Sequence, residues 1–434
     1  MAMKASRFNY KTTAKDTGDL LLYNTSTGAF ISVDASEANA FEAALSNSDD
    51  LELTDPLLKT LVEDGFVIND SFDETKLILE RNRVGINDPN RLDVFVLPNM
   101  NCNFKCTYCY ESHHKGEISS ETIRRLISWF QQTVPNFKIV NLCWFGGEPL
   151  ISYDKVVTIQ RKVHNICDKS GVEFSSHMTT NGYLLSENRA RELVSLGLNR
   201  YQITIDGNAE THDKQRPLRG GGSSFHRVLN NMITLVNVNS SVKVTLRVNY
   251  NDLTFDTVPD LLREIPENVR GQIELDCQRI FGKNGANIQP IYPIKQTASK
   301  LEQFYSLSKE MGFIVSMRSI VPYELTYCYA DRKHEYLFTY EGDLFKCTLS
   351  SFRSEDRLGF VTEEGTIQWE NDRADEWNSA LEFEEKCNDC IYMPLCMGGC
   401  RYKKVHQGTT GVSCTAQFAG IEQRLQQRYK GGIT

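Results

Sequence analysis

The 434-residue sequence has no stretch approaching 18 consecutive apolar residues, and its opening, MAMKASRFNYKTTAKDTGD, has no apolar core behind a positive start. A membrane-spanning helix needs about 20 apolar residues and a secretory signal about 7–15. The expectation is a cytoplasmic chain with no membrane partner. Positive charge is also in short supply: 48 Lys and Arg face 56 Asp and Glu, a formal net charge of −8. Non-specific nucleic-acid binding needs a basic face, so nucleic acid is not an expected partner. No internal repeat or low-complexity tract interrupts the chain. What remains is an ordinary globular composition, 40% hydrophobic and 24% charged, long enough for two or three domains.

Cysteine is present in excess. Thirteen thiols in a chain expected to stay in a reducing compartment are poor disulfide formers, and their short spacings point to metal. They fall into two sets within a chain of changing texture. Up to about residue 72, LLLYNTSTGAFISV reads as two strands around a polar turn, and DASEANAFEAALSN and DPLLKTLVEDGF read as two helices. This is the outline of a small winged-helix module, and the charged run SFDETKLILERNR after it places a boundary near residue 85.

From Leu92 onward six strand-like runs (LDVFVLP, KIVNLCWF, EFSSHMTT, RYQITID, KVTLRVN and QIELDCQRI) alternate with amphipathic segments. In SSETIRRLISWFQ, for example, Ile123, Leu126, Ile127 and Phe130 share one helical face behind a Ser cap. Such alternation predicts an α/β fold with a partial parallel barrel or open sheet, its catalytic loops at the strand C-terminal ends. Beyond about Pro322 the pattern gives way to Gly-rich and Cys-rich sequence, expected to be organised by bound metal.

The first cysteine set, in NCNFKCTYCY, is a C-x3-C-x2-C loop of Cys102, Cys106 and Cys109 directly after the first barrel strand. Three soft ligands suit an iron-sulfur cluster with one iron left open, or a zinc site completed by His113 or His114. With Trp144-Phe145-Gly146-Gly147-Glu148-Pro149 after the second strand, the loop resembles the radical S-adenosylmethionine (radical SAM) superfamily. The resemblance implies a partial (β/α)6 barrel holding S-adenosylmethionine on the open iron of a [4Fe–4S] cluster. It places Tyr108 beside the adenine, and Gly146, Gly147 and Glu148 around the amino group, where glycine permits close approach and a cation needs acceptors. Thr180-Asn181-Gly182 and Thr204-Ile205-Asp206-Gly207, closing the third and fourth strands, are similar to segments bordering the ribose and methionine. Both are equally readable as strand-end turns. Asp206 is also open to a place on the substrate side, and Arg247 on the fifth strand to either the cofactor carboxylate or a snorkelling role.

The second set comprises Cys328, Gly342-x4-Cys347, Cys387-x2-Cys390-x5-Cys396-x3-Cys400 and Cys414. By spacing alone a zinc ribbon competes. After a radical SAM core the arrangement resembles the SPASM extension of peptide-modifying enzymes, spanning residues 321–434 against 86–320 for the barrel. That resemblance implies two auxiliary [4Fe–4S] clusters, three in all: one on Cys387, Cys390, Cys396 and Cys414, the other on Cys328, Cys347 and Cys400. Counting ligands leaves an iron of the latter either open to a substrate thiolate or filled by another side chain. Cys143, Cys167 and Cys277 match no ligand position and read as buried small hydrophobes.

The implied chemistry is one-electron cleavage of S-adenosylmethionine and hydrogen abstraction by a 5′-deoxyadenosyl radical, with a flavodoxin or ferredoxin as expected electron donor. Residues 1–85 resemble the PqqD-like elements that recognise leader peptides, which would bind by adding a strand to a sheet edge. The favoured expectation is a maturase of a ribosomal precursor peptide that forms a thioether from cysteine sulfur to carbon. Three alternatives stand beside it: a carbon–carbon (cyclophane-type) crosslinking maturase, an anaerobic sulfatase-maturing enzyme that generates formylglycine, and a non-catalytic zinc-organised binding protein. The second is similar over residues 93–420, including His212-Asp213 to Arg216. It departs where Thr348 stands in place of an Asp after the cysteine, and where a fourth auxiliary cysteine is missing.

Overall fold

The computed structural model describes residues 2–46, 56–113, 115–251, 254–280, 294–315, 328–370, 372–378, 385–397, 399–407 and 421–430. The N-terminal unit contains β1 (Met3–Ala5), β2 (Asn9–Thr13), β3 (Leu20–Asn24), β4 (Phe30–Val33) and β5 (Val67–Asn69). β2-β3-β4 form an antiparallel sheet and β1 pairs with β5; the helices Ala38–Ser46 and Pro56–Glu63 lie between β4 and β5. The expected hairpin and helices are there, in a winged-helix-like unit. A third helix, Glu74–Ile86, occupies the charged run, its start fixed by the Asp73 side chain accepting from Lys76 N at 2.9 Å. All five residues of β3, LLLYN, are buried. An antiparallel strand with one wet face would alternate, so this sheet is covered on both sides.

The main sheet has eleven strands. Six parallel strands carry the barrel: β6 (Arg91–Val96), β7 (Ile139–Trp144), β8 (Glu173–Thr180), β9 (Leu198–Thr204), β10 (Lys243–Tyr250) and β11 (Ile273–Arg279), matching the six runs read from sequence. β12 (Ile314–Val315) adds a further parallel pairing to β11. Along β10, Val244, Leu246, Val248 and Tyr250 are buried while Thr245, Arg247 and Asn249 are half-buried. A parallel sheet covered by helices on both faces reads as a continuous apolar run. This alternation instead leaves one face of β10 polar and partly accessible.

Beyond residue 322 the structure corrects the sequence reading. β13 (Glu335–Phe338) pairs parallel with β6, and β14 (Asp343–Phe345), β15 (Gly359–Val361) and β16 (Ile367–Trp369) continue antiparallel, so the extension grows from the barrel sheet. Strands of three or four residues are too short to show a period. Among the described residues no helix is long and apolar enough to cross a membrane.

Candidate active site

The loop that follows β6 carries Cys102, buried, Cys106, half-buried, and Cys109, exposed. Two backbone seams hold it. On one side Glu148 N donates to Asn101 O at 2.8 Å, and Gly146 and Gly147 lie so close that a Cβ would stand 2.4 Å from Asn99 O and 2.3 Å from Asn101 O. The close approach that requires glycine here is to the cysteine loop itself. On the other side Lys105 N donates to Pro217 O (2.8 Å), Thr107 N to Gln215 O (2.9 Å) and Arg219 N to Asn103 O (2.9 Å). The segment 215–219 thus clamps the loop like a partner strand.

Glu148 is wholly buried. Its Oε1 accepts from Leu150 N (2.9 Å) and Thr180 Oγ1 (2.8 Å), and its Oε2 from Asn181 N (2.7 Å). Burial pushes its pKa up, and these hydrogen bonds pull it back toward the charged form. Glu148, Thr180 and Asn181 therefore form one group, tying the ends of β7 and β8. Asn181 extends it, donating from Nδ2 to Asn103 Oδ1 at 2.8 Å and lying 3.9 Å from Cys102 Sγ.

Tyr108 belongs to a second group. Its hydroxyl donates to Asp206 and accepts from Arg216 Nη1 (2.7 Å) and Asn249 Nδ2 (3.1 Å), while the other Asp206 oxygen accepts from Asn249 N at 2.8 Å. Burial raises the Asp206 pKa, and Arg216 opposes it. Thr204 is buried at the end of β9, two residues before Asp206. Arg247 stands apart from the Glu148 group: its guanidinium is paired with Asp276 on β11, and its Nε donates to Asn249 Oδ1 at 3.3 Å.

Two residues went without a role in the sequence reading. Arg216 is 6% exposed, and its Nε has no hydrogen-bond partner among the described residues. His212 is fully buried, accepting from Asp206 N on Nδ1 (3.3 Å) with Nε2 3.2 Å from Ser224 Oγ. Burial lowers its pKa to about 3, so it is neutral. Their sequence signals are position, just after the strand-end Asp206-Gly207, and the likeness of the His212-Asp213 to Arg216 segment to sulfatase-maturing enzymes.

Cys328, Cys347 and Cys400 are brought together. The Cys328 thiol is pushed well up by burial, to which Asp331, Cys347 and Cys400 add, and Cys347 rises to about 12 by burial, with Cys400 adding. Cys347 is buried, and Tyr329 reaches 4.0 Å from its Sγ and 2.7 Å from Thr348 Oγ1. Tyr110, next to Cys109, also hydrogen-bonds Thr348. Cys387, Cys390 and Cys396 share one compact stretch of turn and short helix. Cys414 and His114 lie outside the described residues. Among the described residues no group of three His, Cys, Asp and Glu closes on a single ion position, and all twelve cysteines are free thiols. A four-iron core is larger than one ion and spreads its thiolates further apart. Cys143, Cys167 and Cys277 are buried as expected, although Cys143 has polar company: Sγ is 3.3 Å from His177 Nδ1.

Residues 96–265 match the family described as the Radical SAM superfamily. The chain resembles that family over these residues, well under half of its length. It is 28% identical over 170 residues to Fe-coproporphyrin III synthase of Methanosarcina barkeri, covering 38% of this chain and 39% of that protein. The first three such relatives are matched over 37–50% of their length. A cysteine-type anaerobic sulfatase-maturating enzyme of Clostridium novyi is 23% identical over 346 residues, 70% of this chain and 86% of that one. In fold, the chain is similar to anSMEcpe with bound AdoMet and Cp18Cys peptide (TM-score 0.61, 16% identity, 79% of this chain and 99% of that one). It is also similar to Streptococcus suis SuiB bound to precursor peptide SuiA (TM-score 0.53, 16% identity, 96% and 100%).

The residues fit the cofactors of such a domain. Three thiols on one loop suit a [4Fe–4S] cluster. Beside them two buried donors, Arg216 Nε and Asn103 Nδ2, lack partners among the described residues, and unsatisfied N–H groups suit a carboxylate-bearing ligand.

Proposed function

We propose that the protein is a cytoplasmic radical SAM maturase of a ribosomally made precursor peptide, and that it joins a cysteine sulfur to a carbon of another residue in a thioether. The observation that supports this reading is the hydrogen-bonded junction of Tyr110 and Tyr329 at Thr348, which links the residue after Cys109 to the residues after Cys347 and Cys328. Cys102, Cys106 and Cys109 would hold the first cluster. Tyr108, Gly146, Gly147, Glu148, Thr180, Asn181, Thr204 and Asp206 would border S-adenosylmethionine, with Arg216 and Asn103 turned to its carboxylate. Arg247, held by Asp276, is assigned to the substrate wall instead. When bound, S-adenosylmethionine would supply 5′-deoxyadenosyl radical chemistry that removes a hydrogen atom from a substrate carbon; joining that carbon to a thiol would release one proton to solvent and one electron, which clusters held by Cys328, Cys347 and Cys400 and by Cys387, Cys390, Cys396 and Cys414 would take up.

The chain's own residues supply positioning. The glycine seam and the 215–219 clamp fix the cysteine loop, and the polar face of β8–β11 offers hydrogen bonds to a peptide. Residues 1–85 would hold the leader and residues 321–434, SPASM-like, the auxiliary clusters. A flavodoxin or ferredoxin would deliver the electron.

A second reading, formylglycine generation, is favoured by the similarity over 346 residues to a sulfatase-maturating enzyme. Thr348 argues against it, since a hydroxyl replaces the carboxylate expected there. Iron and sulfide per chain after anaerobic reconstitution test the assignment: about twelve irons, falling to about eight when Cys102, Cys106 and Cys109 are all Ala. About four irons with zinc would leave a radical enzyme with a structural zinc extension. Mass spectrometry of the processed precursor then separates a two-hydrogen loss with a thiol consumed from a carbon–carbon link that leaves thiols free.

A further inference from the structure

The N-terminal sheet has one face on its own helices and the other on a distant part of the chain. Leu20 and Leu22 of β3 pack with Phe41, Leu45, Leu58 and Leu61. Leu21 and Tyr23, on the opposite face, pack with Phe30, Leu395, Ile421 and Leu425, and Cys396 lies against this second cluster. Phe8 and Ile78 enclose Met393 and Met397. Polar contacts follow the same seam: Arg7 donates to Asn388 O, the Thr25 hydroxyl to Ile391 O, and Gln426 Nε2 to Thr13 O at 2.7 Å. Tyr10 and Tyr392 face each other with ring centroids 6.1 Å apart.

The stretch thus embraced, residues 385–397, carries Cys387, Cys390 and Cys396 and has little structure of its own: one 3-10 turn and the four-residue helix Met393–Cys396. Helices that short do not stand alone in water. The helix ends in a strained turn, with Met397 at φ 46°, a left-handed conformation costing about 1–2 kcal/mol outside glycine. Such strain persists only where surrounding packing over-determines it, and the packing at Met397 comes from Phe8 and Ile78 of the N-terminal unit. A sheet committed to leader recognition alone would need neither the second buried face nor these contacts.

We infer that the N-terminal unit is a metal-centre scaffold: it folds the Cys387–Cys396 stretch into ligand-ready form, so that the cluster assigned to these cysteines depends on residues near the opposite end of the chain. The inference rests on the auxiliary-cluster reading above and adds a second function to a unit otherwise assigned to peptide binding. It also makes leader docking and the auxiliary centre neighbours on one sheet.

The test uses the full-length chain carrying Arg7→Gln with Thr25→Val, and separately Leu21→Ala, with Ser32→Ala on exposed β4 as control. Amide exchange across 385–397 before reconstitution, and iron per chain after it, are the two readouts. The expected result is at least tenfold faster exchange in 385–397 and a loss of about four irons per chain in both interface variants, with exchange in β6–β11 unchanged, and neither effect in the control. Wild-type chain holding about twelve irons, with interface variants that match it in iron and in exchange, overturns the scaffold while leaving the cluster reading intact. Wild-type chain holding only about four irons overturns the cluster reading and the scaffold's purpose with it. Global loss of exchange protection in Leu21→Ala leaves the decision to the Arg7 and Thr25 variant, which removes the hydrogen bonds from Arg7 to Asn388 O and Met393 Sδ and from the Thr25 hydroxyl to Ile391 O and Phe8 O, and no core volume.

Discussion

Replacing Gly147 with Ala would set a methyl group 2.3 Å from Asn101 O, 2.6 Å from Asn101 C and 2.8 Å from Met100 O. All three are backbone atoms of the segment entering Cys102, so no side chain can swing aside. Restoring an ordinary contact of about 3.5 Å requires the two backbones to part by about an ångström. Overpacking of this kind costs about 1–3 kcal/mol. The parting also breaks the Glu148 N to Asn101 O hydrogen bond, 2.8 Å in the native chain, adding about 1 kcal/mol. Gly147→Ala should therefore lose about 2–4 kcal/mol in chemical denaturation. Because the part displaced bears Cys102, it should also lose about four irons per chain, the first cluster alone. Gly171→Ala is the control. Gly171 caps the helix Tyr153–Ser170 at φ 65° with no heavy atom within 4 Å of a Cβ, so it pays left-handed strain of about 1–2 kcal/mol and nothing else. A Gly147→Ala protein with full iron and native stability would refute the claim that this glycine serves the cysteine loop. Equal iron loss in Gly171→Ala would show that general destabilisation, not loop geometry, governs loading.

Glu148→Ala strands three donors, Leu150 N, Thr180 Oγ1 and Asn181 N, in the interior. A net loss of about 2–4 kcal/mol is expected once relief from burying a carboxylate is set against them, read as a lower Tm of the cofactor-free protein; an unchanged Tm would remove its bracing role. His212 titrates at about 3 in the native state against 6.5 ordinarily, so the unfolded chain takes up the extra proton first. Its contribution is full above pH 6.5 and drains as pH falls toward 3, with about 2 kcal/mol gone by pH 5. Urea midpoints between pH 8 and 5 should fall less steeply for His212→Gln, and equal slopes would refute this. Glu335 presents the opposite sign. Among the described residues neither of its buried carboxyl oxygens has a hydrogen-bond partner, Lys346 Nζ is 3.8 Å away, and burial raises its pKa well above 4.5. The native state then keeps a proton that the unfolded chain releases, so stability declines as pH rises from 4.5 toward the native value. Glu335→Gln should abolish that decline and be at least as stable at pH 7; a loss above about 2 kcal/mol would mean an ionised, paired Glu335.

How far the sequence could be read depended on whether a feature was local. Six parallel strands were legible because each is six to eight residues long and β8–β11 keep a period of two, and the helix at Ser120–Thr133 because its apolar face repeats behind the Ser119 cap. The cysteine loop was legible because its spacing is a local chemical pattern. Glu148 was found by motif, but its company was not: Thr180 and Asn181 lie 32 and 33 residues away, and only the parallel register of β7 and β8 brings them to the same carboxylate. Arg216 was legible only as the end of the His212-Asp213 to Arg216 segment, without a role, since its meaning arises from a hydrogen bond to Tyr108 spanning 108 residues. The same limit hid the N-terminal contacts with residues 385–430, where hydrogen-bonded partners such as Thr25 and Ile391 stand 366 residues apart. A trace was nevertheless present. LLLY, ahead of Asn24, is a continuous apolar run where a sheet with one wet face would alternate, which already demands a covering layer on both sides. The two helices of the unit account for one side only, so the other must be met from elsewhere in the chain or by a partner. The cysteine-rich extension is the segment that arrives with apolar residues, Leu395, Ile421 and Leu425, to offer.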